Sequence, residues 1–216
     1  MSLDDLAVDR SAHIPDDELP APFRSLRDYV AELLGLPPAP VYAHPDFGAD
    51  VHVGATEPLI LMAGDDALTA PDRPALGFRL ARASSYLWPG RAVGASRPAR
   101  ALRGLVMALF RATASDDVAG DPTTAALAAL PDDVRRQASG LVSRLLARSP
   151  DHNLSHWAQA LGHTADRFGL LVCGDIPTAL TLAGRTDGDL HAFAASAAYR
   201  KLRQALGLTA EPHRAL

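Results

Sequence analysis

A single cysteine, Cys173, is present among the 216 residues of the chain. One thiol excludes an intrachain disulfide framework and is typical of a protein that folds in a reducing compartment. Its neighbours Leu171 and Val172 favour burial, so we expect this thiol to pack rather than to react. Lysine is equally scarce, because Lys201 is the only one and all other basic residues are arginines or histidines. We interpret that bias as the mark of a GC-rich bacterial genome.

Long apolar runs and an excess of positive charge are also missing. No uninterrupted apolar segment approaches the roughly 18 to 20 residues that span a bilayer. The first ten residues contain Asp4, Asp5 and Asp9, unlike a secretory signal peptide. The formal net charge is −4, which argues against a nucleic-acid-binding surface. These absences predict a cytoplasmic protein with no membrane insertion and no nucleic-acid partner.

Motifs that bind nucleotides or activate a nucleophile are absent from the sequence. It contains no glycine-rich phosphate loop, no G-x-G-x-x-G fingerprint and no C-x-x-C pair. The segments Ser84-Ser85 and Ser139-Gly140 do not make the G-x-S-x-G elbow of a serine hydrolase. We therefore predict that the protein uses no cofactor.

Hydrophobic spacing predicts a mostly α (α+β) fold, with many helices and one small sheet. Residues 1–20 are acidic and interrupted by prolines, which favours a flexible arm, and residues 21–210 are expected to form a single helical domain. Near residues 41–63, short segments of β-type residues bounded by proline and glycine predict a sheet, which we expect to be antiparallel. Helical spacing dominates the rest of the chain.

The longest predicted helix covers residues 149–174. Ser149 suits its N-cap, and Gly174 suits the left-handed residue that ends it. Apolar residues at spacings of three and four predict one buried stripe. That stripe consists of Leu154, Trp157, Ala158, Leu161, Ala165, Phe168 and Val172.

Three histidines on the opposite face of this helix form the most prominent candidate metal site. His152 and His156 are four residues apart, a spacing that can hold a metal, and His163 follows two turns later. A ligand two turns away on a straight helix reaches the same metal poorly, and no glutamate lies between the first two histidines to act as a base. We favour a solvated polar face, with a metal-binding protein or hydrolase that uses these three residues as the alternative.

Two segments together resemble the scaffold of a zinc metallopeptidase family, that of the HtpX heat-shock protease and the CAAX prenyl endopeptidase. Residues 58–68 resemble the strand and turn before the active-site helix, and residues 74–87 resemble that helix. Residues 162–175 resemble the second helix, with Ala165-Asp166 in the A-D positions of an E-x-x-A-D pattern. The match covers about a third of the chain. The chain also resembles degenerate domains of this type at the C-terminal end of long bacterial helical-repeat proteins.

The residues that carry the chemistry in that family are replaced here. Where the family has His-Glu-x-x-His, this chain has Phe78-Arg79-Leu80-Ala81-Arg82, and Gly162 stands where the family has its glutamate ligand. Zinc hydrolysis needs three protein ligands, an open coordination position and a base. Phenylalanine cannot ligate zinc, and arginine is a fixed cation without a lone pair to offer. The resemblance therefore implies a pseudoenzyme.

The resemblance implies, in place of an active site, a vestigial cleft formed by Phe78, Arg79, Arg82, Gly162, His163 and Asp166. A contact between Arg82 and Asp166 is expected to tie the two helices together where the family has its metal. We predict a catalytically inactive domain that acts as a protein-interaction or scaffold module. Its partner is expected to be a protein, and a second copy of this chain is one candidate.

Overall fold

The computed structural model describes residues 3–69, 72–97, 99–114, 122–148 and 154–208. The chain divides into two compact units. The first comprises Met1–Ser96 with Leu161–Leu216, and the second comprises Arg97–Ala160. Whether both units fold as the single predicted domain over residues 21–210 stays a prediction.

Helices make up most of the described structure, which confirms the mostly α (α+β) fold class. The α-helices in the described ranges are α1 (Ala21–Leu34), α2 (Asp65–Thr69), α3 (Arg73–Ser84), α4 (Ala92–Ser96), α5 (Ala99–Ala114), α6 (Pro122–Ala128), α7 (Asp132–Arg148), α8 (Leu154–Cys173), α9 (Ile176–Ala183), α10 (Asp189–Ala195) and α11 (Ala197–Ala205). The strands there are β1 (His13–Ile14), β2 (Val41–Ala43), β3 (Val51–Gly54) and β4 (Ile60–Ala63). In this part of the chain, no helix is long and apolar enough to cross a membrane.

The sheet is mixed, so the expectation of an antiparallel sheet is wrong for one pair. Its strand order is β1-β2-β4-β3, with β1 antiparallel to β2 and β3 antiparallel to β4. Strand β4 runs parallel to β2. The reason is topological: the chain crosses from β2 to the far edge, forms β3, and returns through the centre as β4. All four residues of β4 are buried, as expected for a central strand.

Several residues between 3 and 20 pack on the sheet, and whether the segment is the flexible acidic arm predicted for residues 1–20 stays a prediction. Val8 and Leu19 are buried, and β1 pairs with β2. Val8 joins a cluster with Ile60 and Met62 on β4. The acidic composition did not indicate these contacts, because a segment rich in aspartate can still bury a single valine or leucine in the core.

Several helix ends agree with their sequence signals. Asp72 precedes α3, and its carboxylate accepts a hydrogen bond from the backbone amide of Ala75. Gly35 and Gly184 end α1 and α9 with φ of 65° and 61°, the left-handed conformation that favours glycine. Gly174 follows α8 with φ of 70°. The N-cap predicted at Ser149 lies outside the described residues.

The buried face of α8 differs from the predicted stripe. Of that stripe only Ala165 is fully buried, and Trp157 is 40% exposed. The residues of α8 that are buried are Gly162, Ala165, Asp166, Gly169, Leu170 and Leu171. The predicted stripe consists of apolar side chains, whereas the buried face of this helix also contains two glycines and an aspartate.

Candidate functional site

Helices α3 and α8 approach each other closely within the first unit. A Cβ on Gly169 would lie 2.8 Å from Cδ2 of Phe78 and 3.0 Å from the backbone oxygen of Phe78. Cys173 lies one turn after Gly169 on α8. A Cβ on Gly77 would lie 3.5 Å from Cα of Cys173, which is an ordinary contact distance. The glycine at 169 therefore makes room for the Phe78 ring, which is 1% exposed.

Asp166 projects from α8 into this interface and is 1% exposed. Its Oδ1 accepts a hydrogen bond of 2.7 Å from Nε of Arg82 on α3. Its Oδ2 accepts a second one, of 2.5 Å, from Nε of Arg185, which follows α9. Burial of a carboxylate is costly unless it is paired, and here two guanidinium groups pair with one carboxylate. This Arg82–Asp166–Arg185 cluster carries a net positive charge.

Arg185 also occupies the space beside Gly162. Its Nη2 stands where a side chain at position 162 would begin, and its Cζ lies 3.2 Å from that point. Glycine is therefore the residue that lets Arg185 reach Asp166 along this path. The assignment of position 162 to the glutamate ligand of the metallopeptidase pattern stays a prediction.

Arg79 lies on the outer side of α3 and pairs with Asp50. Its Nε is 3.1 Å from Oδ1 of Asp50, whose side chain is 62% exposed. Arg79 and Arg82 line a cleft of about 360 Å³ that is also bordered by Asp50, His52 and Tyr86. Burial raises the pKa of Tyr86, so its hydroxyl stays protonated at neutral pH.

His163 belongs to a separate group of charged residues. Its Nδ1 lies 3.1 Å from Oδ2 of Asp189, without the alignment of a hydrogen bond, and its Nε2 lies 3.5 Å from Oδ2 of Asp187. Arg167 donates hydrogen bonds from Nε, at 3.0 Å, and from Nη2 to the two oxygens of Asp189. These hydrogen bonds lower the pKa of Asp189.

The expected contact between Arg82 and Asp166 is present, and Gly162 joins it through Arg185. Phe78 packs on Gly169, and Arg79 pairs with Asp50. Of the six residues of the predicted cleft, Phe78, Arg79 and Arg82 line one cleft, whereas Gly162, His163 and Asp166 are not among its lining residues. Their role as a vestigial cleft stays a prediction.

The alternative metal site gains no ligand set from the described residues. Among them, no group of three or more histidines, cysteines, aspartates and glutamates is placed to hold a metal ion. His156 is exposed, His163 contacts Asp187 and Asp189, and His152 lies outside the described ranges. A site that includes His152 stays a prediction.

Sequence reasoning missed Arg185, Asp50 and Tyr86 as neighbours of the predicted site. One signal in the sequence indicated that Asp166 needs a cationic partner. The apolar run Phe168–Cys173 follows it closely, and a carboxylate that is buried beside such a run is expected to pair with a cation. The sequence offers many arginines for that role, and nothing local distinguishes Arg185 among them.

No protein-family model, no curated protein and no solved structure matches this chain. The likeness to the metallopeptidase scaffold therefore rests on the sequence segments that suggested it.

Proposed function

We propose that the first unit is a catalytically inactive, metallopeptidase-like domain that acts as a protein-interaction module. The observation that carries this proposal is the buried Asp166 held by Arg82 and Arg185. Arg82 stands at a position where the resemblance implies a zinc ligand. Arg185 lies next to Gly162, where the resemblance implies another. A guanidinium group has no lone pair for a metal and repels a divalent cation.

Each position of the family's zinc chemistry has a structural role here instead. Phe78 is packed in the core, Arg79 pairs with Asp50, and Arg82 pairs with Asp166. Gly162 accommodates Arg185. Residues engaged in packing and ion pairs support the fold, and the open cleft beside them offers hydrogen-bond donors to a partner. Binding is therefore the role that this arrangement supports best.

The scaffold part of the proposal is tested by restoring the ligand set. The variant Phe78→His/Arg79→Glu/Arg82→His/Gly162→Glu/Arg185→Ala replaces every departure from the zinc pattern and removes the blocking guanidinium. We expect it to bind one zinc ion per chain in a calorimetric titration. The same variant with glycine kept at position 162 is the matched control, and it should bind zinc at least about tenfold more weakly, because one ligand is missing.

A folded restored variant that binds zinc no better than its control would contradict the scaffold resemblance. Because Phe78 is buried, the full variant can fail to fold, which far-UV circular dichroism would reveal. The smaller variant Arg82→His/Gly162→Glu/Arg185→Ala keeps Phe78 and serves in that case. Its zinc affinity is expected to be lower but still to depend on Gly162→Glu.

The interaction part is tested with a photo-crosslinking residue at the cleft. Ala95 lines the cleft and is exposed, and Ala192 on α10 is an exposed control. In the native host we expect a crosslinked protein partner from position 95 and not from position 192. The adduct should be lost when Arg79→Glu is added, since that change reverses the charge of the cleft wall. An adduct that persists with Arg79→Glu would argue against binding in the cleft.

A further inference from the structure

We infer that the cleft beside α3 is a binding site for one carboxylate group carried on a small apolar body. This inference names the ligand chemistry of the same site and rests on the proposed binding role. The donors are Arg79 and Arg82, which lie three residues apart on one face of α3 and both line the cleft.

Both arginines keep donors available for a ligand. Across the residues that the structure describes, Arg79 and Arg82 form their ion pairs through Nε. The two terminal nitrogens of each guanidinium carry four of its five N–H groups, in the fork geometry that matches a carboxylate. The Arg82 side chain is 40% exposed, so its terminal nitrogens are within reach of a ligand in the cleft.

The two donors differ in how firmly they are held. Asp166 is buried and fixes Arg82 from behind, so this guanidinium is preorganised for binding. Asp50 is largely exposed, and an exposed ion pair contributes little to stability. Arg79 can therefore turn its terminal nitrogens towards a ligand carboxylate at small cost, with Asp50 beside its Nε, while Arg82 keeps its orientation.

The local charge favours a monoanion. Among the residues that line the cleft, Arg79 and Arg82 carry two positive charges and Asp50 carries one negative charge, which leaves one positive charge. His52 adds none at neutral pH, because partial burial lowers the pKa of its imidazole. A single carboxylate neutralises this charge, whereas a phosphate dianion would leave an excess negative charge.

Part of the cleft wall is apolar and can contact a small apolar body behind the carboxylate. Val51, Val53, Ala83 and Leu182 supply aliphatic surface, and the protonated Tyr86 hydroxyl supplies one more donor. A volume of about 360 Å³ lies at the small end of ligand-binding pockets. It suits a short-chain acid or the last residue of a peptide with its free terminal carboxylate.

The test uses the full chain with ¹⁵N-labelled arginine and follows the Nε–H signals by NMR during titration. The probes are sodium butyrate, the peptide acetyl-Ala-Ala-Leu with a free carboxylate, the same peptide as its amide, and inorganic phosphate. We expect the two carboxylates to shift the Arg79 and Arg82 signals saturably and the amide to leave them unchanged. Peptide binding at least about tenfold tighter than butyrate would identify a protein terminus as the source, and equal binding would identify a small acid.

Arg79→Gln should weaken carboxylate binding by about tenfold or more, because a bidentate charged donor is lost. Arg200→Gln, at an exposed position on α11, should leave it unchanged. Shifts that do not saturate, equal response to the amide, or phosphate binding as tight as the carboxylates would each overturn the inference. Those results would not contradict the proposed function. Stoichiometric zinc in the wild-type protein would contradict the proposed function, whether or not the carboxylate probes bind.

Discussion

Arg82 and Asp166 connect two helices across 84 residues of sequence, with Nε and Oδ1 2.7 Å apart. The carboxylate is 1% exposed and the arginine 40% exposed, so the buried charge belongs to Asp166. Arg185 holds the other carboxylate oxygen. Asp166 therefore joins α3, α8 and the segment after α9 through one side chain.

Removal of Asp166 should destabilise the protein much more than removal of Arg82. Asp166→Ala leaves Arg82 and Arg185 facing each other without their anion, and we expect it to cost about 3–5 kcal/mol in the free energy of unfolding. Arg82→Ala should cost about 1–3 kcal/mol, since Arg185 still pairs with the carboxylate. Urea unfolding of both single variants and the double variant should reveal a coupling of at least about 1 kcal/mol.

The matched control for this cycle is Arg79→Ala. Arg79 lies on the same helix and also pairs with an aspartate, but Asp50 is 62% exposed. We expect a loss below about 1 kcal/mol, typical of a surface ion pair. Additive effects in the Arg82 and Asp166 cycle, or a loss at Arg79 as large as that at Asp166, would show that the pairing of the buried charge is not what joins the helices.

The effect of Gly162→Ala on the free energy of unfolding should change sign when Arg185 is replaced by alanine. In the wild type, the added methyl group displaces the Arg185 guanidinium from Asp166, and overpacking of this kind costs about 1–3 kcal/mol. In an Arg185→Ala background the space is free, so alanine should instead stabilise α8 by up to about 1 kcal/mol through its helix propensity. Thermal and urea unfolding of the four variants measure this, and an equal effect in both backgrounds would contradict it.

Gly169→Ala should weaken the packing of α3 against α8. Its Cβ would meet both the ring and the backbone oxygen of Phe78, and a backbone atom cannot rotate away as a side chain does. We expect a loss of about 1–3 kcal/mol in the free energy of unfolding. Gly77→Ala is the control in the same interface, because its Cβ meets only ordinary contacts, and it should be neutral or mildly stabilising. Equal losses at both glycines would argue against this close approach.

Acid should weaken the Arg167–Asp189 pair. The pKa of Asp189 is lowered from the usual 3.8 by the hydrogen bonds from Arg167, so the folded state binds this proton less readily than the unfolded state. The stability from the pair is therefore fully present above pH 3.8 and is lost as the pH falls through the lower folded-state value.

We expect Asp189→Asn to cost about 1 kcal/mol at pH 7 and progressively less below pH 4. Urea unfolding at a series of pH values measures this difference. Asp17→Asn, at an exposed position, is the control and should change the free energy of unfolding by less than about 0.5 kcal/mol at pH 7. A cost of Asp189→Asn that stays constant down to pH 2 would show that the charge of Asp189 does not stabilise the fold.

Local signals predicted much of the fold. The mostly α composition, the sheet near residues 41–63 and the glycine that ends α8, Gly174, follow from such short-range signals. The parallel pairing of β2 with β4 did not follow, since it depends on where the chain returns after β3. The exposure of Trp157 did not follow either, because helical spacing shows that apolar residues share a face but not which neighbouring elements cover that face.

The candidate site was predictable only for residues to which the metallopeptidase resemblance assigned a position. The resemblance suggested the contact between Arg82 and Asp166, which the structure contains. The resemblance could not suggest Arg185, which lies 19 residues after Asp166 in the sequence and reaches it through the space beside Gly162. A pairing of this kind depends on tertiary structure and leaves no periodicity in the sequence.

We propose that the ion-pair cluster of Arg82, Asp166 and Arg185 stands where the metallopeptidase resemblance places a metal. The metal content of the purified, untagged protein, measured by elemental mass spectrometry, tests this proposal, with the melting temperature measured with and without a chelator. We expect substoichiometric metal and an unchanged melting temperature. One equivalent of zinc per chain, together with a lower melting temperature in the presence of the chelator, would contradict it.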